Sequence, residues 1–312
     1  MKKVHGCGYG KTILFGEHFV VYGFPAIVNS LNCRTTARLE FLNNSKKQFE
    51  VIDNRPKVPS FKIKSTFAYQ NMVKNILNFF KIKEKLKIVL NGNLIVCSGG
   101  MGASAAASVS ICRAINNYFN FRLNKNDLNK IAFLGEQAVH KNPSGIDNTA
   151  AILGKNFMFK KESNIDYVEL INLKKKIEIV LVDTGITTDT SEVVNFMQNF
   201  RNKNDQRFDE VCQKYLNIFN QAKKALIEFD LNQIGKLMLQ NHELLCSLDL
   251  SCTKLNEIVN KSLKWGALGA KLTGTGKGGL VLVLTPGVDL QNKIAENFLN
   301  KNYFVIKTCL SK

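Results

Sequence analysis

Val96-Cys97-Ser98-Gly99-Gly100-Met101-Gly102-Ala103-Ser104-Ala105-Ala106-Ala107 joins the end of an apolar strand to a helix of small residues through a glycine-rich loop. Glycine lets the backbone turn its N–H groups toward an anion with no Cβ in the way. The start of a helix adds unpaired N–H groups and positive potential. Ser104 falls in the first turn, where its hydroxyl could ligate a metal carried by phosphates. A plain strand-to-helix turn with close packing would use the same residues, so this segment alone leaves both readings open. No Gly-Lys-Ser/Thr closes the loop and it is not a G-x-G-x-x-G, which excludes the P-loop and dinucleotide fingerprints.

Downstream, His140-Lys141-Asn142-Pro143-Ser144-Gly145-Ile146-Asp147-Asn148 reads as a fixed turn after a helix. Asp147, three residues after Ser144, fits a capping box that opens a short helix. It equally fits a carboxylate held on a rigid turn, suited to accept a proton from a hydroxyl. Glu136 lies on the edge of an apolar stripe formed by Leu128, Ile131, Ala132, Gly135, Ala138 and Val139. It is either a solvated flank or a metal ligand, and Mg²⁺ takes a few hard oxygens together with phosphate.

Upstream, Gly10-Lys11-Thr12-Ile13-Leu14-Phe15-Gly16-Glu17-His18-Phe19-Val20-Val21-Tyr22-Gly23 sets Lys11, Glu17 and His18 among apolar residues. A lone lysine beside a strand normally faces solvent, but a Glu-His pair between apolar runs needs partners. The last such segment, Gly269 to Gly279, is read as a glycine-rich turn before the strand Leu280-Val281-Leu282-Val283. It is either a mobile hairpin or a second clamp on a ligand.

Composition bounds the partners. The chain has 312 residues and a net charge of +18, which invites a nucleic-acid or anionic-membrane reading. Lysine outnumbers arginine 36 to 7, however, and there are 35 asparagines. A groove reader favours arginine for bidentate contacts. The lysines are also scattered in short groups, as at Lys46-Lys47 and Lys174-Lys175-Lys176, so a solvated basic surface is the better reading. No apolar run approaches the ~20 residues of a membrane span, and the first residues lead into glycines rather than an apolar signal core. The eight cysteines form no C-x-x-C pair, which removes zinc knuckles and thioredoxin-type motifs. Several lie in apolar segments, as small buried thiols of a reducing compartment do, so a cytoplasmic location is expected.

The pattern of elements is α+β. Strands are expected at 12–14, 26–31, 36–41, 48–52, 87–90 and 94–97, with a helix over 66–80. Helices follow at 103–119 and 127–140, then a strand at 177–183. Four more helices fill 191–265, and the chain ends strand, helix, strand. Mixed strands with helices grouped after them argue two lobes divided near residue 180.

The four segments together, in this order, resemble the signature motifs of the GHMP small-molecule kinases, in the form carried by the mevalonate kinase branch. The resemblance runs over residues 6–285. It departs from the usual pattern at Gly8-Tyr9 (commonly Ala-Pro), Ala103 (commonly Ser) and Lys277 (commonly Gly), variants similar to the trypanosomatid-type enzymes. It implies a two-lobe fold: an N-terminal α+β ATP-binding lobe over 1–180 and a ferredoxin-like C-terminal lobe over 181–312. It further implies transfer of phosphate from ATP to the C5 hydroxyl of (R)-mevalonate, a step of isoprenoid and sterol precursor biosynthesis. By this resemblance Ser98, Gly99, Gly100, Met101, Gly102, Ala103 and Ser104 bind ATP, Ser104 and Glu136 hold Mg²⁺, and Asp147 and Lys11 are catalytic. Lys11, Glu17, His18, Asp147 and Thr190 form the mevalonate pocket. Neither nucleic acid nor membrane is an expected partner, and a homodimer is compatible with the sequence. The alternatives are a phosphomevalonate kinase or a sugar kinase such as galactokinase, which shares Gly16-Glu17-His18 but usually continues with Thr-Asp-Tyr. From another class, a basic nucleic-acid-binding protein would not need Ser104, Glu136 and Asp147 together.

Overall fold

The computed structural model describes residues 5–42, 46–58, 66–97, 99–140, 143–162, 166–188 and 190–310. By contact the chain gathers into two compact units. The first comprises Met1–Lys11, Ser30–Cys97 and Met101–Gly154; the second comprises Thr12–Asn29, Ser98–Gly100 and Lys155–Lys312.

Strands β1 (His5–Phe15) and β2 (Ala26–Phe41) pass from one unit into the other. The first unit adds β3 (Phe49–Asp53), α1 (Thr66–Phe79), β4 (Leu86–Gly92), α2 (Ala103–Tyr118), α3 (Lys125–Gln137) and α4 (Ile146–Leu153). There β4 pairs antiparallel with β2 and parallel with β3. The two strands expected at 26–31 and 36–41 are one 16-residue strand. Its first six residues are all buried, and from Asn32 exposed, Cys33 buried, Arg34 exposed and Thr35 buried it alternates with the period of a strand. The run 94–97 contributes only an isolated bridge, Val96 to Lys57. Helix α2 buries nearly its whole N-terminal half, including Ala105, Ala106 and Ala107. Two glycines of β1 let it lie close: a Cβ on Gly6 would stand 1.9 Å from the Ser110 carbonyl oxygen, and one on Gly8 2.1 Å from that of Ala106. No side chain fits there.

The second unit contains β5 (Asn156–Lys160), β6 (Tyr167–Ile171), β7 (Ile177–Asp183), α5 (Thr190–Lys203), α6 (Asp205–Glu228), α7 (Leu231–Ser247) and α8 (Thr253–Lys264). It closes with β8 (Gly269–Thr273), β9 (Leu280–Leu284), α9 (Val288–Leu299) and β10 (Phe304–Leu310). Four of its strands form an antiparallel sheet in the order β10-β7-β9-β8. Numbered along the chain these are the fourth, first, third and second strands, which is the ferredoxin-like order. All residues of β8 and β9 are buried, so these strands read as unbroken apolar runs apart from Lys271 and Thr273. Residues 269–273, expected as part of a turn, are therefore strand. Helix α6 buries Phe208, Val211, Cys212, Tyr215, Ile218, Phe219 and Ala222, the stripe of an amphipathic helix. Among the described residues no helix is long and apolar enough to cross a membrane.

Candidate active site

In the first unit the glycine loop ends at Gly102, which precedes α2 with a left-handed φ of 65°. That conformation suits glycine, and a Cβ there would also press on the Lys11 side chain, 3.1 Å from Cγ. Lys11 is tied to the loop by its backbone N–H, which donates to the Met101 carbonyl at 3.1 Å. The lysine does not face solvent. It is 4% exposed, and Nζ lies 2.8 Å from Asp147 Oδ1. Asp147 stands in the first turn of α4, whose N-cap is Gly145 at φ 87°. Of the two readings of Asp147, the carboxylate on a turn fits: the Ile146 N–H donates to Ser144 Oγ at 3.4 Å, while Asp147 turns to Lys11.

Ser104 Oγ donates to Glu136 Oε2 at 3.1 Å, and His140 Nε2 lies 3.5 Å from the same hydroxyl. Glu136 is no solvated flank; it is 1% exposed, and its Oε1 is buried with no hydrogen-bond partner. Burial, and then the neighbouring Asp147 carboxylate, push the Glu136 carboxyl up to about 8. A buried acid with one oxygen unused, beside a hydroxyl at a helix start, is the donor chemistry a hard divalent cation takes. Among the described residues no group of three or more His, Cys, Asp or Glu could hold a metal. A cation here would have to complete its shell with water or phosphate oxygens, as Mg²⁺ commonly does.

In the second unit Glu17 and Lys271 form an ion pair with both side chains 0% exposed. Lys271 Nζ donates to Glu17 Oε1 and also to the Leu272 carbonyl, at 2.9 Å from the latter, while Glu17 Oε2 is buried with no partner. Burial draws the Lys271 ammonium below the ordinary lysine value, and Glu17 partly restores it. His18 has φ 65°, and its Nε2–H donates to the Thr275 carbonyl at 2.8 Å. Burial draws its imidazole down to about 4, so the ring is neutral near pH 7. Phe19 stacks flat on Tyr215 of α6, with ring centroids 4.1 Å apart, and the Tyr215 hydroxyl donates to the Pro25 carbonyl at 2.5 Å. Thr273 Oγ1 donates to the Ile13 carbonyl at 3.0 Å, which leaves Thr12 as the donor in its 3.0 Å bond to Thr273 Oγ1. Gly99, Thr188, Thr273, Thr275, Gly276, Gly278 and Gly279 line a small pocket, with Thr188 Oγ1 buried and unpartnered. Lys277 does not point into it: Nζ is 3.2 Å from Asp249 Oδ2 and 4.0 Å over the Phe196 ring.

The chain has the two sequence domains of one enzyme family. The GHMP kinases N terminal domain matches residues 68–155, and the GHMP kinases C terminal domain matches residues 222–304. Over 311 residues the chain is 31% identical to a mevalonate kinase of Thermococcus onnurineus, covering 91% of this chain and 89% of the relative. It is 29% identical over 296 residues to that of Pyrococcus abyssi, covering 89% and 87%. In structure it is similar to the Leishmania major mevalonate kinase solved with R-mevalonate, with a TM-score of 0.93 and 34% identity, over 98% of this chain and 95% of that one. The chain belongs to the mevalonate kinase branch of the GHMP kinases.

As a GHMP kinase it is an ATP-dependent small-molecule kinase, with the family's α+β, two-domain fold. The kinase motifs are distributed over both compact units. Lys11, Gly102, Ala103, Ser104, Glu136 and Asp147 belong to the first, and Glu17, His18, Gly99 and Gly100 to the second. Ser98 lies outside the described residues. Thr190 begins α5, and its side chain lies outside them too. Sequence reasoning missed Lys271 as the partner of Glu17, although a lysine inside Gly269-Ala270-Lys271-Leu272-Thr273 was a signal. It also missed Tyr215, which reads as one more apolar position of an amphipathic helix.

Proposed function

We propose that this kinase transfers the γ-phosphoryl group of ATP to the C5 hydroxyl of (R)-mevalonate, giving ADP and 5-phosphomevalonate. The observation that carries the reading is the 2.8 Å Lys11–Asp147 ion pair in the same unit as Ser104 and Glu136. Asp147 orients the hydroxyl and takes its proton. Lys11 faces Asp147 at 2.8 Å and its positive charge favours an alkoxide-like oxygen. Phosphoryl transfer depends largely on placement and charge, so these two groups act mainly by holding the acceptor in line.

Ser98, Gly99, Gly100, Met101, Gly102, Ala103 and Ser104 bind the phosphates of ATP through loop and helix N–H groups. Ser104 and Glu136 would hold Mg²⁺, a role supported by the buried, unpartnered Glu136 Oε1. When bound, the ion neutralises charge on the phosphates. Glu17, His18 and Thr190 serve the mevalonate pocket. The family's two lobes are proposed to divide near residue 180, with 1–180 as the ATP-binding lobe and 181–312 as the C-terminal one. The spans matched by the two family domains fall on either side of that division. A cytoplasmic location is supported by Cys112 and Cys212, buried thiols of the kind a reducing compartment keeps. A homodimer is the assembly to look for by sedimentation.

A coupled ADP-release assay against mevalonate, phosphomevalonate, galactose and homoserine tests the reading. Turnover of mevalonate alone is expected. A folded protein that releases no ADP with mevalonate would sink it.

A further inference from the structure

Arg55 follows β3 in the first unit and is 3% exposed. Its guanidinium is fully engaged. Nε and Nη2 donate to the two carboxylate oxygens of Asp53 at 2.9 and 2.7 Å, and Nη2 also reaches the Tyr69 hydroxyl at 3.2 Å. Nη1 donates to Thr35 Oγ1 at 3.2 Å and to the Ala103 carbonyl oxygen at 2.7 Å. One side chain thus joins β2, β3 and α1 to the first residue of α2. Asp53 balances the charge, so what Arg55 delivers at Ala103 is direction rather than potential. A rigid fork can do this where a flexible ammonium cannot.

The Ala103 carbonyl belongs to the same peptide plane as the Ser104 N–H. In a trans peptide the two point in opposite directions, and the plane does not twist. Fixing the carbonyl oxygen therefore fixes where the Ser104 N–H points. That N–H is one of the first donors of α2, which have no partner within the helix. The same anchor sets the Ser104 Cα, and with it the hydroxyl that meets Glu136.

We propose that Arg55 is a positioning residue for ATP: through the Ala103 carbonyl it aims the Ser104 N–H and hydroxyl at the bound phosphates. This rests on the reading of the α2 N-terminus as the ATP-phosphate site. Asp53 and Thr35 hold Arg55 in place, and Arg55 itself touches no substrate.

The test compares wild type with Arg55→Lys and Thr35→Val. The measurements are direct binding of ATP by calorimetry, KM for ATP and for mevalonate, and Tm. Arg55→Lys keeps the charge and loses the fork. It is expected to weaken ATP binding by about fivefold or more while KM for mevalonate stays within about twofold. Thr35→Val leaves Nη1 less well held and is expected to give a smaller loss of ATP affinity in the same direction. A folded Arg55→Lys protein with wild-type ATP affinity and only a lower Tm overturns the inference. Should Arg55→Lys fail to fold, Thr35→Val decides: a loss confined to ATP supports the inference, and unchanged ATP affinity overturns it. Wild-type protein that binds no ATP would overturn the phosphate reading and this inference with it. Wild-type binding matched by both variants overturns the inference alone.

Discussion

Lys11 Nζ lies 2.8 Å from Asp147 Oδ1, with the lysine side chain 5% exposed and the aspartate 36%. The pair is lopsided. The cation is fixed among β1, the glycine loop and α4, while the carboxylate keeps an open side. An acid–base group needs that combination: one partner to hold its charge and one direction from which a hydroxyl can approach.

Asp147→Asn keeps the shape and removes the proton acceptor. kcat is expected to fall by at least about 100-fold while ATP still binds. Single-turnover kinetics and calorimetric ATP titration check this. A wild-type kcat would remove Asp147 from the chemistry.

Glu136→Gln replaces the buried carboxyl beside Ser104 with an amide that cannot ionise to hold a cation. Loss of even an outer-shell group typically costs a metal site 10–100-fold, so the Mg²⁺ concentration for half-maximal rate should rise about tenfold or more. The check is an Mg²⁺ titration at saturating ATP. Unchanged metal dependence counts against a ligand role.

Glu17 and Lys271 carry a stability prediction. Removing one partner leaves the other charge buried alone, at a cost of about 3–5 kcal/mol. Lys271→Met should therefore lower the urea midpoint sharply, and Glu17→Leu with Lys271→Met should recover much of the loss. A single variant with a wild-type midpoint would show that the pair is not held dry.

His242 and His18 make the protein acid-sensitive in a defined window. His242 accepts the Leu272 N–H at Nδ1 (3.3 Å) and donates from Nε2 to Asn256 Oδ1 (3.1 Å), so it is neutral. Burial, then the Lys271 charge, draws it from 6.5 to about 4. His18 moves the same way, also to about 4. Between those values the unfolded chain binds protons that the folded chain does not, so stability falls as pH drops from 6.5 toward 4. Each histidine contributes at most about 3 kcal/mol to that loss. Urea unfolding at pH 7 and pH 4.5 should show the decline, and His242→Gln should make it shallower. An equal decline in the variant would remove His242 as a source.

The +18 charge carries its own prediction. ATP and mevalonate are both anions, so if the excess lysine speeds their capture, kcat/KM should fall as ionic strength rises. A flat profile would assign the excess to composition alone.

The ordered motifs were legible because each depends on local chemistry. Glycines set the backbone of the phosphate loop, Pro143 to Gly145 set the turn before Asp147, and strand and helix periods set most elements. The C-terminal strand, helix, strand run was readable for the same reason. Beyond local patterning, legibility failed. The expected break inside β2 was not one: β4 pairs with it from Thr35 onward, and just before that the Arg34 N–H donates to Asn93 Oδ1 and the Arg34 carbonyl accepts the Leu94 N–H. The Gly269–Thr273 segment became strand because β9 pairs along its whole length.

The sequence by itself determined which residue types stand in which order: the loop, the acidic turn, the Glu-His pair and the lysine before Thr12. Only the tertiary structure decided their electrostatic state. Lys11 reads as a surface lysine until α4 brings Asp147 beside it. Glu136 reads as a flank until α2 covers it and raises its carboxyl to about 8. Lys271 reads as one charge in a strand until it meets Glu17, 254 residues away along the chain. Burial and charge pairing come from neighbours distant in sequence, and local pattern carries no information about them.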